Sequence, residues 1–188
     1  MTIPEFHTKR LLLKGISIDD ADSYEKNFVD YDVIRFLSRQ VPWPYPSGGV
    51  RTYLEHVILP FQGLSRWTWG IFRLEHPKDV IGCVDLWRKG IPEHRGFWLA
   101  KKYWGQGYML EAVHPITEYA FTSLNFQKLI FSNAVANIAS RRIKEKMGAR
   151  FLGRRPSQFV DPTCTEGELW EILKEDWIRV HKNKSVSS

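Results

Sequence analysis

Cysteine is scarce in this chain: Cys83 and Cys164 are the two among 188 residues, and their separation matches no metal-ligand spacing. Disulfide stapling and a thiolate metal centre are therefore not expected, and Cys83, inside an apolar strand pattern, reads as a buried thiol. No apolar run approaches the roughly 18 residues that a membrane span requires. The opening MTIPEFHTKR lacks the apolar stretch of a secretory signal, so a cytoplasmic location is the expectation. Internal repeats and low-complexity segments are missing too. What remains is a chain 43% apolar and 26% charged, the profile of an ordinary globular protein. Its length suits one domain over 1–180 with a polar tail at 181–188. The net charge of +6 implies some attraction for polyanions, while speaking to solubility rather than fold.

Residues 9–16 read as a strand with Leu11 and Leu13 on one face. A helix over 18–30 follows, with Ser17 as N-cap and acidic residues in its first turn. A short helix is predicted at 32–38 and another at 49–59. Between them VPWPYPSGG cannot be helical, because each proline fixes φ and lacks an N–H. Residues 67–74 and 80–88 have strand character, with EHPKD as the turn. Trp69, Trp87 and Trp98 fall inside strands and read as core. Another strand covers 95–100. Helix 107–124 carries apolar positions at Leu110, Val113, Thr117, Ala120 and Leu124, with a kink expected at Pro115. Strands follow at 128–135, from Phe151, and at 168–173, and EDWIRV can turn helical. The order predicts an α/β fold of the α+β type, a mixed and mostly antiparallel central sheet flanked by helices.

Residues 95–150 are the most informative. A strand runs into the turn Gly105-Gln106-Gly107 and a helix begins at once; a second strand ends at Asn137, and a second helix runs to Gly148. Such a turn presents unpaired N–H groups at a helix N-terminus, where an anion is held by donors and dipole. A tight strand-to-helix connection is the plain alternative. Lys102-Tyr103-Trp104-Gly105-Gln106-Gly107, followed by NIASRRIKEKMGARFLG, resembles the acetyl-CoA core of the GCN5-related N-acetyltransferases (GNAT). It is closest in pattern to the RimJ/RimL-like branch that acetylates ribosomal protein N-termini. Weaker likeness extends to TKRLLLKGI, PWPYP, VIGCVDL and LWEILKEDW.

The resemblance implies a GNAT-like acyl-CoA acetyltransferase fold, acetyl-CoA as co-substrate and no metal. The pyrophosphate would sit on Lys102, Gly105, Gln106, Gly107, Tyr108 and Met109. Lysine at the first of these positions departs from the family's commoner Arg or Gln. Pantetheine would track along Phe97, Trp98, Leu99 and Ala100 on a strand splayed from the next, and an N–H near Leu99 or Ala100 would polarise the thioester carbonyl. Asn137 is an N-cap by residue type and, by resemblance, a cofactor contact. Ser140 matches the branch's serine near the CoA sulfur, where it would donate a proton to the leaving thiolate; a first-turn helix serine is its plain reading. Arg142 can help with the adenosine phosphate; Arg141, Lys144, Lys146 and Arg150 otherwise read as a solvated basic face.

Glu93 and His94 are candidate bases, beside Asp85 and Glu168, each also readable as a surface group. Glu111 reads as a structural pair near the helix start, and His114 as a base by residue type alone. Trp43 and Tyr45 can form acceptor pocket or staple their loop to the core. The expected partners are acetyl-CoA and an amine acceptor, a ribosomal protein N-terminus first among them. Neither a membrane nor nucleic acid is required, and the chain is a monomer or homodimer. A small-molecule amine (polyamine, antibiotic or amino acid) is the alternative acceptor, and a basic nucleic-acid- or ribosome-binding module the non-catalytic alternative.

Overall fold

The computed structural model describes residues 3–88 and 94–185. Strands β1 (Phe6–His7), β2 (Leu11–Gly15), β3 (Arg66–Arg73), β4 (His76–Trp87) and β5 (Arg95–Leu99) form one antiparallel sheet in that spatial order. Strands β6 (Lys128–Ala134), β7 (Arg150–Pro156) and β8 (Glu166–Leu173) form a second, ordered β6-β8-β7 and also antiparallel. The expected α/β architecture is present, with the sheet divided between β5 and β6.

Helices cover both faces of the first sheet, which is why β3 reads as a nearly continuous apolar run instead of an alternating one. On one face α4 (Tyr108–Thr122) packs over Leu11, Leu13, Trp69, Ile71 and Val84. On the other, α1 (Ala21–Phe28), α2 (Tyr31–Ile34) and α3 (Gly49–Tyr53) enclose Phe72, Val80, Cys83 and Trp98. Helix α5 (Ile138–Lys146) links β6 to β7, and α6 (Lys174–Ser185) follows β8.

Local chemistry sets the boundaries. Asp20 Oδ2 accepts from the Ser17 N–H at 2.9 Å and hydroxyl at 2.8 Å, so the predicted first helix starts as a 3₁₀ turn before α1. Asp30 caps α2 by accepting from the Asp32 N–H at 2.8 Å. The predicted EHPKD turn is mostly strand. Arg73 pairs with His76 and Phe72 with Val80, so Pro77 lies in a bulge where no ladder N–H is needed. In α4 the buried stripe is Met109, Ala112, Val113, Ile116, Thr117 and Ala120, rotated from the predicted one, and Leu110 and Leu124 are half-buried. The helix runs unbroken through Pro115. Residues 181–185, expected in the tail, continue α6.

One ionic clasp ties the β1–β2 corner to the start of α4. Glu111 accepts from the Thr8 hydroxyl at 2.6 Å, the Arg10 N–H at 2.9 Å and Arg10 Nε at 2.8 Å. Arg10 also donates to the Gln106 carbonyl at 3.0 Å and stacks on Tyr108, 4.1 Å from the ring centroid. Burial pushes the Glu111 carboxyl up, but the Thr8 and Arg10 hydrogen bonds outweigh it and hold the group below its ordinary value. A carboxylate depressed in the folded state adds stability above its unfolded pKa and loses it as pH falls through the folded one. Glu111→Ala should cost about 1–3 kcal/mol at neutral pH. In urea unfolding the difference from the parent should shrink well below pH 4.5, the ordinary value.

Candidate active site

Among the described residues, the backbones of the two sheets are joined by hydrogen bonds at one residue pair. The His94 N–H donates to the Ile130 carbonyl at 2.6 Å, and His94 Nδ1 accepts from the Ile130 N–H at 3.1 Å. Beyond it, residues 95–99 and 131–134 share no ladder. On its other edge β5 bonds to β4 through alternate residues. Trp87 N–H donates to His94 O at 3.1 Å and Ala100 N–H to Ile81 O at 2.8 Å, with Gly96 and Trp98 between them in register. The intervening N–H groups of Phe97 and Leu99 therefore face the open seam. This corrects one expectation: Ala100's donor is spent on Ile81, leaving Leu99 or Phe97 to polarise a carbonyl. The Leu99 carbonyl itself accepts from Trp104 Nε1 at 2.7 Å.

The glycine turn closes one end of the seam. Gly105 and Gly107 have φ of +73° and +80°, a conformation in which any Cβ is strained. Nothing lies within 4 Å of a Cβ built on Gly105, so the turn faces open space. Gly107 caps α4, whose first N–H groups have no intrahelical partner. Tyr108 and Met109 are buried in the core behind the turn. Lys102 is exposed, its Nζ 4.0 Å from Asp79. Donors, helix dipole and clearance fit a pyrophosphate.

Across the seam stands α5. Asn137 Oδ1 accepts from the Ser140 N–H at 3.0 Å, the N-cap anticipated from sequence. Ser140 is buried, and its hydroxyl accepts from Lys144 Nζ at 2.7 Å. Lys144 is only 1% exposed, which corrects its reading as a solvated basic residue. Its Nζ lies 5.6 Å from the Phe97 ring and 5.7 Å from that of Phe131. Ser140 and Lys144, one turn apart, thus share the helix face turned to the seam. Arg142 points away, exposed.

A second buried cation sits under the seam. Arg95 is 3% exposed; Nη1 donates to Thr117 Oγ1 at 3.0 Å, and the guanidinium lies 4.3 Å over Phe131. Among the described residues Nε and Nη2 have no hydrogen-bond partner, and burial pulls the group down to about 9. Desolvating such an ion costs several kcal/mol. The charged hydrogen bond to the Thr117 hydroxyl returns about 1.5–3 kcal/mol and ring stacking about 2 kcal/mol.

Ser140, Lys144 and Arg95 line one cavity of about 810 Å³ that crosses the seam. Its far wall is Tyr24, Phe28, Tyr45, Tyr53, Arg66 and Asp85. Tyr45 packs edge-on against Phe28 at 5.4 Å, whereas Trp43 lies outside on Tyr31, so their proline-rich loop is both wall and staple. A strap closes part of the opening: Arg39 N–H donates to Gln158 O at 3.2 Å, and Val160 N–H to Leu37 O at 3.0 Å. Asp85 is pushed up by burial and held back by Arg66 and Thr68. Arg66 Nε donates to both its oxygens at 2.9 Å, and the Thr68 hydroxyl donates at 2.8 Å. Burial also raises Tyr24, Cys83 and Tyr53, the last to about 12, so all three are neutral at pH 7.

The remaining acid–base candidates stand elsewhere. His94 is the pin between the sheets, and burial with Lys128 and Arg88 keeps its imidazole below the ordinary value. Glu168 is clamped by Arg141 Nε at 2.9 Å and Asn133 Nδ2 at 3.0 Å, tying β8 to α5. His114 packs against Trp177 at 5.0 Å. Glu93 lies outside the described residues. Sequence reasoning missed Arg95 and Lys144, because a cation inside a strand or basic helix carries no local sign of burial.

A split antiparallel sheet with a glycine turn at the mouth of its seam defines a class of acyl-CoA-using enzymes. Residues 10–150 match the acetyltransferase (GNAT) domain family, and the chain belongs to it. It is an N-acetyltransferase, with acetyl-CoA as its co-substrate. The N-acetyltransferase YnaD of Bacillus subtilis, itself uncharacterised, is 31% identical over 90% of this chain and 97% of its own. The FsC-acetyl coenzyme A-N(2)-transacetylase of Aspergillus fumigatus is 25% identical over 98% of this chain and 83% of its own. Among solved structures, RimL, the ribosomal L7/L12 alpha-N-protein acetyltransferase in complex with coenzyme A, superposes with a TM-score of 0.76. It covers 92% of this chain and 99% of RimL at 14% identity, a likeness of fold.

Gly105→Glu should abolish acetyl-CoA binding in calorimetric titration while far-UV circular dichroism stays unchanged. Gly105→Ala, strained equally but uncharged, should retain measurable binding. Equal loss in both would point to the turn's conformation and away from phosphate repulsion.

Proposed function

We propose that the protein moves acetyl from acetyl-CoA to the N-terminal α-amine of a protein, a ribosomal protein being the expected acceptor, by direct attack in a ternary complex. The observation that carries this reading is the unpaired seam, with Phe97 and Leu99 donors free between the glycine turn and Ser140. Gly105, Gln106 and Gly107 hold the pyrophosphate, joined by Lys102 and the N–H groups leading into Tyr108 and Met109. Phe97, Trp98, Leu99 and Ala100 form the pantetheine track with Asn137 beside it, and Arg142, exposed on the far side of α5, is left to the adenosine phosphate. Acetyl-CoA, when bound, supplies an activated thioester. The Leu99 or Phe97 N–H polarises its carbonyl oxygen. Ser140 donates a proton to the departing sulfur and is itself reprotonated from Lys144, whose Nζ is 2.7 Å away.

The acceptor class follows from how little base the cleft offers. Among the described residues lining it, Asp85 is the carboxylate, and Arg66 and Thr68 occupy it. An α-amine has an ordinary pKa near ~8, and desolvation between Tyr24, Phe28 and Tyr45 lowers it further. A lysine amine, near ~10.4, would need a base. RimL's fold and its α-N-protein acetyltransferase activity support the same choice. A small-molecule amine is the second reading, favoured by the strap over the cleft and by the N(2)-transacetylase relative.

Steady-state rates with N-terminal peptides, Nε-lysine peptides and small amines test the proposal. The α-amine peptides should lead in kcat/KM by about tenfold or more, a difference of about 1.4 kcal/mol. A leading small amine would instead establish the second reading. Ser140→Ala should lower kcat by about 100-fold while leaving acetyl-CoA affinity nearly intact. Unchanged kcat would remove Ser140 from proton donation.

A further inference from the structure

Acetyl has no charge, yet the cleft that would receive it has a buried guanidinium in its floor. We propose that, alongside acetyl-CoA, this enzyme takes acyl-CoA thioesters whose acyl chain ends in a carboxylate, and that Arg95 is the residue that recognises that carboxylate. The inference rests on the donor track assigned above and deepens it by naming a further donor class.

Three observations carry it. Arg95 lines the cavity while Nε and Nη2, buried with it, have no partner among the described residues. Those two donors belong to one guanidinium, whose planar fork matches a carboxylate. Arg95 also stands on the same face of β5 as Phe97 and Leu99, because alternate residues of a strand share a face. From Phe97 to Arg95 the strand advances about 6.6 Å. A donor entering from the glycine turn and running along Leu99 and Phe97 points its acyl chain toward Arg95. That advance is about the reach of a two-carbon extension plus one hydrogen bond. Thr117 Oγ1 holds Nη1 at 3.0 Å and the Phe131 ring supports the guanidinium face, so the fork is positioned before any ligand arrives.

The chemistry is unchanged by the longer chain. The amine nitrogen bonds to the thioester carbonyl carbon as the C–S bond breaks. The amine gives up a proton, the departing thiolate gains one, and the distal carboxylate passes unaltered into the amide product.

The test compares succinyl-CoA, malonyl-CoA and acetyl-CoA with the parent protein and Arg95→Met, which fills a similar volume without charge. Calorimetric binding without acceptor should favour succinyl- or malonyl-CoA over acetyl-CoA by about tenfold or more in the parent. In Arg95→Met that preference should vanish while acetyl-CoA affinity is retained. Steady-state kcat/KM ratios among the three donors should move the same way. If parent and variant both bind acetyl-CoA equally well or better than the dicarboxylic thioesters, the inference is overturned and the proposed donor site survives. If none of the three binds folded parent protein, the donor site itself is lost. An acceptor series with free and esterified carboxylates distinguishes the other source of that group. Should Arg95→Met alter acceptor KM and leave donor preference untouched, the donor assignment is overturned. Should Arg95→Met not fold, the parent's preference among the donors decides alone.

Discussion

The missing ladder between β5 and β6 is the constraint around which this molecule is arranged. Sheets gain by pairing every edge, because unpaired N–H and C=O groups are costly unless something else satisfies them. Here pairing stops after His94 and Ile130, and the N–H groups of Phe97 and Leu99 face a cleft. Within each sheet neighbouring strands pair in antiparallel ladders, and the break between the two falls between β5 and β6. Helix α4 packs behind it, α5 stands at its side, and the Gly105–Gly107 turn lies at its end. Each of these positions is useful to an acyl donor only because the seam stays open.

Charge in this protein is sorted by neighbours. Glu111 is half-buried against Arg10 and Thr8, Glu168 buried against Arg141 and Asn133, and Asp85 half-buried against Arg66 and Thr68. In each case burial pushes the carboxyl up and its donors pull it back. For Glu111 and Glu168 the donors win, and for Asp85 burial wins. All three are structural clasps: one fixes the glycine turn, one ties α5 to β8, and one stiffens a wall of the cleft. Among the described residues Arg95 Nε and Nη2 meet no such carboxylate, and Lys144 Nζ donates a hydrogen bond to Ser140 in the cleft. Two buried basic side chains, Arg95 and Lys144, therefore line the cleft.

Much of the fold was legible along the chain. Strand β2, the paired tryptophan-rich strands and the Asn137 cap all follow from short-range rules, since capping and alternation are decided within a few residues. The glycine turn was equally legible, because positive φ at Gly105 and Gly107 is a local demand. Less visible was the buried stripe of α4, rotated from its predicted position. Apolar residues cover much of that helix, and the packing partners in β2, β3 and β4 select which of them turn inward. Likewise EHPKD reads as a turn, yet most of it pairs with β3 around a bulge.

By itself, the sequence determined the class of protein: the order of strands and helices, the glycine turn, the Asn137–Ser140 helix start and, through them, membership of the acetyltransferase family. Those features are written in neighbouring residues. Tertiary structure alone decided which N–H groups stay free, that His94 pins the sheets, that Asp85 is occupied, and that Arg95 and Lys144 are inside. Burial and pairing depend on residues far apart in the chain, so a lysine on α5 reads the same from sequence whether it meets water or the rings of Phe97 and Phe131.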